Sequence, residues 1–381
     1  MAPLFVYGTL RHLPLLELVL GRALPPDQCQ PATVPDHLAY WVAGQAFPVL
    51  VQQNGAQAEG LLLTGLTPQD MARIGYYEGG FGYHLAPIAV HLPDEPDGQM
   101  AQVWFPDDAL WQIGAVWDLR DWEVKWSAIV TEAAAEMMGY IGRFSPKQVA
   151  PLYPMIMARA ASRVAARREG GAVDAALPGS GMRRDDTQAH GLARPYVAFF
   201  AVEEHLLSFR RFDGTQSPIV KRAVFTASDA AILLPYDPVR DRVLVIEQFR
   251  AGPFARGDMA PWPLEPVAGR IDPGETPQQA ARREAAEEAG LALHDLETVS
   301  RHYPSPGSTS EFFHVFVGIC DLPDRAEDLG GVASEDEDIR SHILPYAQFQ
   351  DLLDRDLLTV GPLVLAGHWL ARHRDRLRAA S

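Results

Sequence analysis

Three glutamates in the C-terminal half have the spacing of a metal-binding helix face. Glu284, Glu287 and Glu288 lie in an Ala-rich run without a helix breaker, and residues three or four apart share one side of a helix. Carboxylates placed this way repel one another unless a cation offsets them. Mg²⁺ favours oxygen ligands and bridges carboxylates to substrate phosphates. The pattern therefore predicts a divalent-metal site that acts on a phosphate compound.

The bland alternative is an exposed helix held by ion pairs, and Arg283 stands four residues before Glu287, as such a pair requires. The wider spacing resembles the Nudix box of the Nudix hydrolase family. That resemblance implies an α/β/α Nudix sandwich over residues 192–381 and a Mg²⁺-dependent hydrolase, with Mn²⁺ as the substitute metal. It is carried by Gly269, Glu275, Arg283-Glu284, Glu287-Glu288 and Gly290-Leu291, while Ala285 stands where a larger aliphatic residue is usual.

Further segments resemble the ADP-ribose pyrophosphatase subgroup of that family. They occur in the same order as in the subgroup: EQFR at 247–250, EPVAGRI at 265–271, YPSPGSTSEFF at 303–313 and SEDEDIRSHI at 334–343. Taken alone, the Ser-Pro-Gly piece is an ordinary turn before a strand. Together the segments imply hydrolysis of ADP-ribose, or of a related ADP-sugar, to AMP and ribose 5-phosphate by a homodimer.

The resemblance also implies roles for single residues. The backbone carbonyl of Ala268 and the carboxylates of Glu284, Glu287 and Glu288 would bind metal, and Glu337 would be a further metal-associated carboxylate. Glu335 would be the catalytic base, although a solvated acidic loop is the alternative for 335–338. The implied substrate-binding residues are Arg222, Arg250, Ser305, Pro306, Gly307 and Glu311.

A second candidate site lies at the start of the chain. LFVYGTLR at 4–11 predicts a strand that enters a tight Gly turn, and LPLLELVLG predicts the helix after it. Further on, Thr67-Pro68 opens a predicted short helix, which places Glu78 in a Gly-rich loop between that helix and a strand.

This turn, formed by Tyr7, Gly8, Thr9 and Leu10, together with Glu78 resembles the gamma-glutamylcyclotransferase-like family. The resemblance implies a small β-barrel with helices over residues 1–115, in which the turn holds a gamma-glutamyl group and Glu78 acts as acid and base. Gly75 stands where that family often has Asp. The alternative for Glu78 is an exposed structural loop residue.

The remaining segments connect these two halves. Residues 116–169 have helical spacing, with a Trp stripe that is more typical of a core than of a ligand site and a second helix that runs from Ser145-Pro146 to near Arg168. Residues 170–191 are rich in Gly, Ala and charge, which is typical of a linker. Strand-length pieces then lead to the glutamate helix, and Pro345–Leu377 predicts two final helices.

Composition restricts the class of protein. The 381 residues are 47% hydrophobic, enough for two or three cores, and the net charge of −16 without a Lys/Arg cluster argues against polynucleotide partners. Cys29 and Cys320 fit neither a disulfide framework nor a metal spacing. Because the apolar run 13–20 is short and interrupted, we expect no signal peptide or membrane span. A cytoplasmic protein is expected.

Two other functions stay open from the sequence. One is a nucleotide-binding sensor or scaffold without turnover, and the intact glutamate cluster argues against it. The other is a gamma-glutamyl cyclotransferase with an accessory Nudix domain. The combination of the two domains also resembles bacterial proteins linked to tellurite resistance.

Overall fold

The computed structural model describes residues 2–93, 95–107, 111–169, 178–324 and 338–380. The chain forms two compact units, one of residues 1–179 with 197–199 and one of residues 180–196 with 200–381. Part of the predicted linker is a strand, since β-structure begins at Thr187. Residues 170–177 of that segment lie outside the described residues.

The first unit contains a small barrel followed by helices. Its strands are β1 (Leu4–Val6), β2 (Cys29–Val42), β3 (Pro48–Leu63), β4 (Tyr83–Leu92), β5 (Glu95–Pro106) and β6 (Ile113–Val116). Its helices are α1 (Leu13–Leu20), α2 (Pro68–Glu78), α3 (Leu119–Lys125), α4 (Ser127–Met138), α5 (Pro146–Val149) and α6 (Tyr153–Glu169).

The barrel closes because its order, β3-β1-β5-β4-β2, returns through a β2–β3 pairing. β1 pairs with β5 in parallel and with β3 in antiparallel fashion. The interior is tightly filled: a Cβ added at Gly60 would lie 2.3 Å from the ring of Phe5. The predicted β-barrel with helices is therefore confirmed.

The helices after the barrel cover one side of it. Trp117, Trp122, Ile129 and Met137 are all buried, and the Trp122 indole N–H donates to the backbone oxygen of Ala46 at 2.7 Å. The prediction that the Trp stripe is core is confirmed. The prediction of one continuous helix from Ser145 to near Arg168 was wrong. A 3₁₀ turn at Ala150–Leu152, which contains Pro151, separates α5 from α6.

The second unit begins with a three-stranded sheet and continues into a mixed sheet between helices. The strands are β7 (Thr187–Val197), β8 (Ala201–Phe209), β9 (Val220–Thr226), β10 (Ala230–Asp237), β11 (Arg242–Glu247), β12 (Leu264–Glu265), β13 (Val267–Arg270), β14 (Asp295–His302), β15 (Phe313–Ile319) and β16 (Arg340–Pro345). The helices are α7 (Ala251–Arg256), α8 (Pro277–Ala289), α9 (Tyr346–Asp354) and α10 (Gly361–Ala379).

β10 lies at the centre of this mixed sheet and pairs with β11, β13 and β15. Successive side chains of a strand point to opposite faces, and β10 is buried on both. Ile232 and Leu234 join the core beneath α9 and α10, whereas Ala231 and Leu233 join the core beneath α8. The predicted α/β/α sandwich is therefore confirmed, as are the two C-terminal helices.

Two further features concern the whole chain. Across the described ranges, every helix is too short or too polar to cross a membrane. Cys29 and Cys320 both carry free thiols.

Candidate functional site

The glutamate helix α8 is fixed at both ends by its own sequence. Thr276 caps the N-terminus: its hydroxyl accepts from the Gln279 N–H at 3.2 Å, and the Gln279 side chain accepts from the Thr276 N–H at 2.8 Å. Gly290 ends the helix in a left-handed conformation with φ of 64°. The helix predicted to carry the three carboxylates is thus confirmed, and its register places Glu284 and Glu288 beside β13.

Two of the carboxylates lie directly against β13. Glu288 is only 3% exposed, and its Oε2 accepts a hydrogen bond from the Ala268 N–H at 3.1 Å. A Cβ added at Gly269 would lie 1.8 Å from Glu284 Oε1. A side chain at this position would therefore displace the Glu284 carboxylate from its place beside β13.

Arg283 binds three carboxylates, one just before α8 and two on it. Its guanidinium donates to both carboxylate oxygens of Glu275 at 3.0 Å, to Glu284 Oε1 at 2.7 Å and to Glu287 Oε2 at 3.0 Å. A fifth bond, of 2.9 Å, reaches the backbone oxygen of Arg270. These acidic neighbours raise the pKa of Arg283. The Arg283–Glu287 ion pair, expected if α8 were simply an exposed helix held by ion pairs, is present, but it is one part of a larger network.

The donor set fits a hard divalent cation, which prefers carboxylate and carbonyl oxygens. Glu284, Glu287 and Glu288 would supply the carboxylates, and Gly269 provides the room that Glu284 occupies beside the strand. Within the described ranges, no three acidic, His or Cys side chains are already gathered at the spacing of a metal site. A bound cation would therefore share Glu284 and Glu287 with Arg283.

The predicted substrate-binding loop lies against the strand of Arg222. Ser305, Pro306 and Gly307 are exposed in a turn between β14 and β15. The turn is joined to β9 by the backbone bonds Phe225 N–H to Ser308 O, of 2.8 Å, and Ser310 N–H to Phe225 O, of 3.0 Å. Because Arg222 is exposed on the same strand, the structure brings these predicted residues to one region of the unit.

Glu311 lies near Asp229, a residue that is bonded to the segment directly after β13. Burial and the nearby charge of Asp229 raise the pKa of its carboxyl group. The backbone oxygen of Asp229 accepts from the Ile271 N–H at 3.0 Å, directly after β13. Asp229 was not singled out from the sequence, since a lone Asp between two strands has no distinctive spacing.

Arg250 is held at the end of β11. Its Nε and Nη2 both lie 2.8 Å from Glu265 Oε2, and its side chain is 40% exposed. An arginine fixed in this way keeps donors available for an anionic ligand. The two remaining predicted residues of this half, Glu335 and Glu337, lie outside the described residues.

The N-terminal turn and Glu78 line one pocket of about 50 Å³. Tyr7, Gly8, Thr9 and Leu10 all contribute to it, as predicted neighbours of Glu78. The location of Glu78 differs from the prediction, because it is the last residue of α2 instead of a loop residue. The Gly79 N–H donates to the Gly75 oxygen at 3.0 Å, which extends the helix through Glu78.

The environment of Glu78 changes its acidity. Its side chain points into the pocket, and burial raises its pKa from 4.5 to about 7. A carboxyl group with this pKa exists in both protonation states near neutral pH, as a general acid and base requires. An exposed structural residue would not be perturbed in this way.

A second lobe of about 40 Å³ adjoins the first and shares Thr9, Phe47, Glu78 and Tyr83 with it. The sequence reasoning missed this lobe, although the aromatic residues on either side of Glu78 were a local signal. It is otherwise lined by Ala46, Tyr77, Phe81, Val130 and Tyr153.

Comparison with protein families divides the chain in the same way as these two sites. Residues 226–359 match the NUDIX domain model, and residues 4–124 match the model for gamma-glutamyl cyclotransferase, AIG2-like. The N-terminal domain is thus gamma-glutamylcyclotransferase-like. The NUDIX match contains α8 and its three glutamates.

Individual relatives match the C-terminal half. The ADP-ribose pyrophosphatase of Escherichia coli (strain K12) is 39% identical over 183 residues, which cover 48% of this chain and 87% of the relative. The Haemophilus influenzae ADP-ribose pyrophosphatase is 31% identical over 197 residues, which cover 51% of this chain and 90% of the relative. An Escherichia coli GDP-mannose pyrophosphatase is 32% identical over 150 residues, which cover 39% of this chain and 77% of the relative. A crystal structure titled as an ADP compounds hydrolase aligns with a TM-score of 0.38 at 24% identity, over 51% of this chain and 97% of its own.

Proposed function

The chain belongs to the Nudix hydrolase family, and we propose that it hydrolyses the pyrophosphate bond of ADP-ribose or of a related ADP-sugar to AMP and ribose 5-phosphate. The observation that carries this proposal is the acidic face of α8 beside Ala268 and Gly269, in a chain 39% identical to an ADP-ribose pyrophosphatase. Nudix hydrolases use divalent metal ions, and we propose Mg²⁺ here, with Mn²⁺ as its substitute.

The residues divide into metal-binding and substrate-binding groups. Glu284, Glu287, Glu288 and the carbonyl of Ala268 would hold the ions, which when bound supply charge neutralisation on the two phosphates. Arg250, fixed by Glu265, would donate to phosphate oxygens.

The remaining residues would orient the substrate and the water. Arg222 and the loop of Ser305, Pro306 and Gly307 would contact the substrate from the β9 side, and Glu311 would contact its ribose. Glu335 would accept the proton of the attacking water as the P–O–P bond breaks, and Glu337 would support the metal site.

A substrate panel tests this proposal directly. The protein is incubated with ADP-ribose, other ADP-sugars and GDP-mannose in the presence of Mg²⁺, and the products are identified. ADP-ribose should give AMP and ribose 5-phosphate, and Glu288→Gln should lower the rate by well over about tenfold with the fold intact. Equal rates in EDTA would contradict the metal requirement, and binding without turnover of any compound would favour the sensor alternative.

Two properties of the working protein remain proposals. We place it in the cytoplasm, where Cys29 and Cys320 would stay reduced. We also propose a homodimer, which sedimentation analysis of the full chain would detect. The division into residues 1–115, 116–169, 170–191 and 192–381 is proposed in the same way.

A second activity is favoured by the pocket at Glu78. The proposal is that the N-terminal domain cyclises a γ-glutamyl amide to 5-oxoproline and a free amine. The observation behind it is a carboxyl group with a pKa of about 7, located in a pocket that also contains the turn at Gly8 and Thr9.

The reaction needs only a proton carrier. The α-nitrogen of the glutamyl group attacks the γ-carbonyl carbon, a ring C–N bond forms, and the C–N bond to the amine breaks. Glu78 would take the proton from the α-nitrogen and return it to the leaving nitrogen, so that no water is consumed. Release of 5-oxoproline from γ-glutamyl amides, measured for the full chain and for Glu78→Gln, tests this. Activity that survives the substitution would remove Glu78 from the mechanism.

A further inference from the structure

The two lobes beside Glu78 are smaller than the group on which the proposed cyclotransferase acts. Their volumes are about 50 and 40 Å³. A water molecule needs about 10–15 Å³, whereas a cavity of about 150 Å³ admits one benzene ring, and a γ-glutamyl group is larger than benzene. Each lobe therefore has room for a few waters, and a lining side chain must move before the glutamyl carbonyl can reach Glu78.

Phe81 lies between the second lobe and the solvent. It lines that lobe together with Glu78, yet it is only half-buried, so part of the same residue contacts water. Its ring makes an edge-to-face contact with Tyr153, with centroids 4.9 Å apart, and a tilted contact with Phe47 at 6.4 Å. These two contacts hold the ring at the lobe.

The backbone around Phe81 is fixed, whereas the chain leaves its ring free to turn. The Gly82 oxygen accepts from the Asp107 N–H at 2.7 Å. A Cβ added at Gly80 would lie 2.6 Å from the backbone oxygen of Pro146, so this turn packs directly on the start of α5. The residues on both sides of Phe81 are glycines, which place no side chain beside the ring. A change of side-chain rotamer is therefore enough to uncover the lobe.

The rings that contact Phe81 are held more firmly. Phe47 also packs against Trp111, with centroids 5.3 Å apart. Tyr153 begins α6, and α6 is joined to α4 by a buried ion pair in which Arg159 Nε donates to Glu136 Oε1 at 3.1 Å. The ring between the glycines is therefore the part of this lining that moves most easily.

We propose that the Phe81 ring is a gate of the Glu78 pocket, which is closed in this structure and turns away to admit the γ-glutamyl group. The proposal rests on the cyclotransferase function proposed for Glu78 and adds a step before the chemistry. Because the substrate binds only the open form, its apparent affinity is reduced by the fraction of protein that is open. Loss of the ring removes this reduction, so KM falls while kcat stays the same.

The first test measures access to Glu78 without turnover. A water-soluble carbodiimide and glycinamide convert accessible carboxyl groups of the full chain to amides, which are quantified by peptide mass spectrometry. The carbodiimide is larger than either lobe, so it reacts with Glu78 only while the gate is open. Phe81→Ala should raise the initial rate at Glu78 about tenfold, the size expected when the ring contacts are lost. The exposed carboxyl group of Glu59 gives the reference rate in each sample.

Phe144→Ala is the matched control. Phe144 is also half-buried and also contacts a tyrosine, Tyr140, with centroids 5.6 Å apart, but the described residues that line the two lobes do not include it. Its rate at Glu78, relative to Glu59, should equal that of the wild type. Phe81→Leu, which keeps apolar bulk and loses only the ring, should lie between wild type and Phe81→Ala. A wild-type rate in Phe81→Leu, or equal acceleration in Phe144→Ala, would overturn the gate.

The second test follows release of 5-oxoproline from γ-glutamylglycine. KM should fall about tenfold in Phe81→Ala with kcat unchanged. Faster labelling of Glu78 without 5-oxoproline release by any form of the chain would overturn the cyclotransferase function and leave the gate standing. Turnover with unchanged labelling would overturn the gate and leave the cyclotransferase function standing. Turnover with faster labelling but an unchanged KM would overturn the step proposed for the substrate.

Discussion

Replacement of Glu78 by glutamine should stabilise the first unit, and the gain should grow with pH. Burial raises the pKa of Glu78 from 4.5 to about 7. Below pH 4.5 the carboxyl group is protonated in both the folded and the unfolded chain, so its ionisation costs nothing. Between pH 4.5 and about 7 only the unfolded chain loses the proton, and the folded state loses relative stability across that window.

The size of the effect follows from the pKa. At about 1.4 kcal/mol per pKa unit, the rise to about 7 corresponds to roughly 3 kcal/mol, which is an upper limit because the side chain is only half-buried. The glutamine side chain of the variant ionises in neither state. The difference in the free energy of unfolding between Glu78→Gln and wild type should therefore be larger at pH 8 than at pH 4 by up to this amount.

Denaturant unfolding of the full chain, followed by Trp fluorescence, measures this difference. All of the eight Trp residues except Trp262 and Trp369 lie in the first unit, so the signal reports mainly on that unit. Glu59→Gln is the matched control, since the Glu59 side chain is 78% exposed on the barrel surface and its replacement should give no comparable gain between pH 4 and 8. An equal difference for Glu78→Gln at both pH values would refute the raised pKa, and with it the argument for proton transfer.

The other predictions concern the hydrolase half. With ADP-ribose as substrate, Glu335→Gln should lower kcat by about 10²-fold and leave KM within a few fold of the wild type. A larger loss of kcat in Glu337→Gln would assign the catalytic base to Glu337. A fully active double variant would show that the loop has no catalytic role. Gly269→Ala should remove most pyrophosphatase activity, because its Cβ would lie 1.8 Å from Glu284 Oε1. Release of 5-oxoproline, which reports on the N-terminal domain, should not change in this variant. A wild-type rate of ADP-ribose hydrolysis would contradict the prediction. Arg250→Lys should raise KM more than it lowers kcat, because lysine lacks the fork that Glu265 now orients, and an unchanged KM would place Arg250 outside the substrate site.

The glutamate helix was predictable from sequence because its signals are local. A cap at Thr276, carboxylates three and four residues apart and a stop at Gly290 all lie within a few turns of one another. The same holds for the turn at Gly8 and the helix after it. The approach of Gly269 to Glu284 was not predictable, because it depends on how closely β13 and α8 pack.

The second lobe at Glu78 shows the limit of local patterns more clearly. Tyr153 lies 75 residues after Glu78 (153 minus 78) and reaches it only through the packing of α6 on α4. Nothing in the spacing of the chain records that contact. The end of α2 was misplaced for a related reason, since two glycines after Glu78 suggested a loop, whereas Gly79 closes the last turn of the helix.

The Arg283 network has a consequence for how the hydrolase site is assembled. Folding of many small metal sites depends on the ion, because unopposed ligands would otherwise repel one another. Here a guanidinium group already offsets the charge of Glu275, Glu284 and Glu287. A divalent ion is therefore not needed to hold these three carboxylates together in the fold.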